Sequence, residues 1–62
     1  MRFTTIHKPG DVWDVIDRQT GKVLVADETY MVADSVCHHL NNPKDWDSSE
    51  SREVADSILA SL

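Results

Sequence analysis

The sequence predicts an α+β domain in which three strands precede two helices, β-β-β-α-α, with an antiparallel sheet packed by the two C-terminal helices. Three observations carry this. Two β-rich runs, "DVWDVIDR" and "KVLVAD", are joined by the short polar "QTG". Two later segments, "VADSVCHHL" and "VADSILASL", place apolar residues at helical spacing. The chain has 62 residues, which leaves room for one domain, residues 1–62, with a modest core.

The first element is a short strand from Arg2 to His7, in which Phe3 and Thr5 alternate against Thr4 and Ile6. "HKPGD" then forms a turn, because Pro9 fixes φ and removes a donor while Gly10 permits a positive φ. The hairpin that follows closes through a loop ending in Gly21, the chemistry of a type I turn with a bulge. On its first strand Trp13 and Val15 share one face, and Val12 and Ile16 the other. On its return strand strict alternation separates Val23 and Val25 from Leu24. Both faces therefore carry apolar groups. The helices are expected to cover the Trp13 face, leaving Val12, Ile16 and Leu24 either for self-association or as a docking surface, or under helices that wrap an edge.

"ETYMVADSVCHHLNNP" reads as the first helix, with Thr29 or Asp27 as N-cap. Ala33, Val36, Cys37 and Leu40 form its apolar stripe. Asn41 and Asn42 suit a left-handed helix end, and Pro43 prevents continuation. The second helix starts near "DWDSSESRE", where Asp47 and Glu50 have the spacing of a capping box. Its stripe is Ala55, Ile58, Leu59 and Leu62. The twice-used "VADS" thus reads as core specification, with Ala facing inward and Asp and Ser outward. A stacked repeat would need about three units.

Composition bounds the partners. With 11 acidic and 6 basic side chains the formal charge is -5, which disfavours direct binding to a nucleic-acid backbone. An acidic surface favours solubility and steers a protein towards basic partners. The lone Cys37 cannot form an intrachain disulfide and fits a reducing compartment. The start "MRFTTIHKPGD" has no apolar run for a signal peptide, and no stretch has membrane-spanning length, so the expected location is the cytoplasm.

No catalytic or metal-binding constellation is expected. Cys37, His38 and His39 are adjacent on a helix, where neighbours diverge by about 100°, so they cannot converge on one ion. Cys37 belongs to the apolar stripe, where burial raises a thiol's pKa, and no Ser stands in an arrangement with a base. "TGK" at Thr20–Lys22 lacks the upstream glycine and following hydroxyl of a phosphate loop. No cofactor is implied. The remaining candidate is the acidic lead-in to the last helix: Asp45, Trp46, Asp47, Glu50 and Glu53. Acidic residues there complement the helix dipole. Trp46 either closes the small core or forms an exposed anchor rimmed by charge, the composition of a binding hot spot. A carboxylate cluster of this kind can also imitate a phosphate backbone.

The run "WDVIDRQTGKVLVADETYMVADSVCHHLN" resembles the hairpin-then-helix pattern of small phage and prophage accessory proteins. The matching features are Trp13, Val15, Asp17, Gly21, Val23 and Val25, then Thr29, Ala33 and Leu40-Asn41, over about half the chain. The resemblance implies a setting in mobile elements, some of whose proteins inhibit host CRISPR complexes or RNA polymerase. It brings no catalytic residues. The expected function is a non-enzymatic interaction module acting on a host protein or nucleoprotein complex in the host cytoplasm. The alternative is a structural homo-oligomer, such as a homodimer, that buries the second sheet face.

Overall fold

Strand β1 covers Phe3–Lys8, β2 Val12–Asp17 and β3 Lys22–Glu28, followed by helices α1, Tyr30–Asn41, and α2, Glu50–Ser61. The computed structural model describes residues 1–44 and 50–62. The sheet is antiparallel in the order β1-β2-β3, so the α+β order expected from the sequence is the one the chain adopts. Both connections rely on positive φ. Gly10 at 89° and Asp11 at 58° turn β1 into β2, and Gly21 at 75° turns β2 into β3. The Gly21 N–H donates to the Asp17 carbonyl at 2.7 Å. A Cβ on Gly21 would meet nothing, so the backbone angle alone demands glycine there.

The core is a cluster of Phe3, Val15, Ala33, Val36, Leu40 and Ala55, with Trp13, Leu24, Val25, Val32, Cys37, Ile58 and Leu59 packed around it. Helix α1 lies across the sheet on the Trp13 and Val15 side, as the alternation in β2 requires. Helix α2 packs mainly on α1, and its last turns border the start of β3. The two "VADS" segments meet in this arrangement: Ala33 and Ala55 are fully buried, while Asp34 and Asp56 face solvent. Alanine at both positions lets the helices approach closely, because neither carries a side chain beyond Cβ.

Three expectations from periodicity change in the folded chain. The partner register of β2 with β3 jumps twice, from Trp13↔Glu28 to Val15↔Val25 and on to Ile16↔Val23. Each jump is a bulge in β3, which puts an extra residue between successive rungs. One bulge shifts the faces, so Val25 joins Val15 while Val23 joins Ile16, and Leu24 packs against the core. Leu24 therefore does not share the open face with Val12 and Ile16. At the end of α1, Asn42 has φ −133°, not the left-handed value. Its amide Nδ2 and its backbone N–H both donate to the His38 carbonyl, at 3.0 and 2.9 Å, which caps the helix without a left-handed residue. Leu62 falls beyond the end of α2 and is 52% exposed, so it extends the stripe in sequence but not in packing.

Thr29 is the N-cap of α1, its Oγ1 accepting from the Val32 N–H at 3.4 Å. Asp27, the other candidate cap, instead adopts φ 59° inside the bulge between Val25 and Glu28.

Candidate functional site

Helix α1 lies on one side of the sheet with α2 packed on it, so among the described residues the other side is an open face. The β1–β2 register places Thr4 beside Ile16, Ile6 beside Asp14, and Lys8 beside Val12, and β3 adds Val23 beside Ile16. Cross-strand partners share a face. Ile6, Val12, Ile16 and Val23 therefore line the open face, and none of them packs against the core. Ile6 is 42% and Val23 50% exposed, while Val12 and Ile16 are half-buried by their neighbours.

One end of this face carries a charge cluster. The Lys8 ammonium lies 2.7 Å from Asp27 Oδ1 and 2.9 Å from Asp14 Oδ1. Asp14 Oδ1 also accepts the Asp27 backbone N–H at 3.1 Å. A bulge residue loses its place in the ladder, and the Asp14 carboxylate supplies the acceptor that its amide then needs. The hydrogen bond from Lys8, followed by that from the Asp27 amide, lowers the Asp14 pKa. Bonds to Asp27 and then Asp14 raise that of Lys8. Lys8 thus bridges two carboxylates, one on β2 and one on β3.

Beside the cluster, on the core side of the sheet, three rings form a row. His7 stacks on Trp13 with ring centroids 4.3 Å apart and planes 11° from parallel. Trp13 meets Tyr30, the first residue of α1, at 4.8 Å and 60°. Asp11 Oδ1 holds the His7 Nε2 at 3.0 Å. The row runs from β1 across β2 to the first residue of α1. Its rings touch one another, which leaves no space between them for a ligand.

The acidic lead-in is only partly placed. Glu50 and Glu53 occupy the first turn of α2 and are exposed, where they complement the helix dipole. Asp45, Trp46 and Asp47 lie outside the described residues. Cys37 is half-buried on α1, and burial, reinforced by the nearby Asp34 charge, pushes its thiol pKa up. His39 is buried in the core, a place that the stripe reading did not give it. Among the described residues no group of three His, Cys, Asp or Glu is placed to hold a metal ion. Among the described residues no helix is long and apolar enough to cross a membrane.

Sequence reasoning found the second apolar face but missed its composition. Ile6 was legible from the alternation in β1, since it faces away from the buried Phe3. Val23 was hidden by the bulge, and the signal for that bulge is the run of three apolar residues Val23-Leu24-Val25 in a strand with one open side. Comparisons with protein families, curated proteins and solved structures returned no match to this chain.

Proposed function

We propose that this chain is a non-enzymatic interaction module that binds a protein or nucleoprotein partner through the open face of its sheet. The observation that carries this reading is the uncovered apolar set Ile6, Val12, Ile16 and Val23 on a domain with no further described element to lay over it. Glu50 and Glu53, exposed at the start of α2, add a negative field that steers a basic partner. The resemblance to phage and prophage accessory proteins supplies the setting: a host complex, such as CRISPR or transcription machinery, as the target, with inhibition as the outcome of binding.

Affinity capture from the host lysate tests this, with Val23→Glu and the pair Glu50→Lys and Glu53→Lys as comparisons. Val23→Glu abolishes capture with a normal melting curve, and the paired charge reversal slows association and steepens no salt dependence. Unchanged capture by Val23→Glu removes the open face from the account. The second reading, a homo-oligomer that buries the same face, is favoured by the position of Val12 and Ile16 there. Under that reading Ile16→Glu converts an assembly seen by light scattering into a monomer.

A further inference from the structure

The outer edge of β1 offers a different surface from the open face. The Arg18 N–H donates to the Arg2 carbonyl at 2.8 Å, which fixes the phase of the β1–β2 ladder. Residues 2, 4, 6 and 8 of β1 direct their N–H and C=O towards β2, and Phe3, Thr5 and His7 direct theirs outward. At Phe3 the outward groups are already taken. The Asn41 side chain accepts the Phe3 N–H at 3.1 Å and donates to the Phe3 carbonyl at 3.0 Å. A carboxamide with one donor and one acceptor here plays the part of a neighbouring strand. At the other end Pro9 has no N–H and stops the strand. Between these stops stand Thr5 and His7, whose backbone groups have no partner among the described residues.

We propose that a second copy of this chain pairs with this edge, antiparallel and about a twofold axis at Ile6. Thr5 then faces His7 of the second copy and His7 faces its Thr5, so both rungs are used in full on both chains. The free edge is self-complementary in length, because Asn41 and Pro9 leave the same pair of rungs open on each copy. Ile6 meets its own counterpart in the close pair between the rungs, with Cα atoms about 4.5 Å apart.

The side chain at the axis supports this occupant: Ile6 is 42% exposed, and a second copy sets an identical apolar side chain against it. Space is present as well: beside the edge, β1 and α1 leave an open depression of ≈ 370 Å³ lined by Thr5, Asp34, Cys37 and His38.

This inference does not rest on the open-face reading, since its rungs are backbone groups of Thr5 and His7 at the strand edge, and Ile6 alone belongs to both surfaces. Sedimentation equilibrium on the full chain from about 10 µM to about 1 mM tests it, together with amide exchange over the same range. The expected result is a dimer at the upper end, with exchange at the Thr5 and His7 amides slowed by about tenfold and exchange along β3 unchanged. Thr5→Pro, which removes an outward N–H that an edge strand can spare, is expected to be monomeric throughout with its melting curve retained. Should that variant fail to fold, Ile6→Lys, at an exposed position, gives the same reading, because like charges then meet at the twofold axis. A monomer at every concentration overturns the proposal. So does a dimer in which Thr5 and His7 gain no protection, because the copies then meet elsewhere.

Discussion

The Arg2 guanidinium grips the Asp17 carboxylate in a fork, Nε to Oδ1 at 3.0 Å and Nη2 to Oδ2 at 2.8 Å. Asp17 is fully buried at the end of β2, and the Gln19 N–H adds a third bond to Oδ1 at 2.9 Å. The pair ties the start of β1 to the turn between β2 and β3. It also covers a charge that would otherwise stand unpaired in a small core.

Acid is therefore expected to loosen this corner. The bond from Arg2 is the largest cause, and it lowers the Asp17 pKa from 3.8 to about 2. A depressed carboxylate stabilises the fold above its unfolded pKa, and that contribution is lost as pH falls through the folded value. Stability should thus hold down to the ordinary carboxylate range and fall between 3.8 and about 2. Urea melts at a series of pH values check this. Asp17→Asn should be less stable at neutral pH and show a flatter decline in that window. An unchanged decline would assign the acid sensitivity to other carboxylates, Asp14 first among them.

Leu40 is 2% exposed and touches the core from the last turn of α1. Leu40→Ala should destabilise by about 2–5 kcal/mol, which in so small a domain approaches the whole stability. Leu62→Ala, at an exposed position, should stay within about 0.5 kcal/mol of the parent. Chemical denaturation of the two variants side by side gives the comparison.

Asn41→Leu removes both bonds to the Phe3 backbone. A loss of about 1–2 kcal/mol is expected, with faster amide exchange at Phe3 and little change at Val15. Equal loss of protection across the sheet would mean that Asn41 acts on the whole fold and not on the edge.

The bulge in β3 gives a comparison that isolates backbone strain. Asp27→Gly and Asp27→Ala both lose the Lys8 contact, but only glycine takes φ 59° freely. The glycine variant should be more stable than the alanine variant by about 1 kcal/mol in thermal melts. Equal stabilities would show that the bulge relaxes when the ion pair is gone.

Much of this architecture was legible in the chain. Pro9-Gly10 and Gly21 mark turns because few residues accept those backbone angles, and Thr29 marks a helix start by its hydroxyl. The stripes through Ala33, Val36 and Leu40 and through Ala55, Ile58 and Leu59 follow from 3.6-residue periodicity alone. The candidate site was legible in part: Val12 and Ile16 fall on the open face by alternation, and Leu24 does not because a bulge resets the count. Bulges depend on the partner strand, which local pattern cannot supply.

What the sequence by itself determined is the order of elements, the turns and the inward stripe of each helix, all set by interactions over a few residues. Tertiary structure alone decided the rest. It placed Asp17 under Arg2, Asp14 beneath the Lys8 ion pair and Asn41 against the edge of β1. Each is a polar side chain whose partner is brought to it by strand pairing or by the packing of α1 on the sheet. Burial of such a group is tolerable only when folding brings that partner within hydrogen-bond distance, so no local reading could have put them inside.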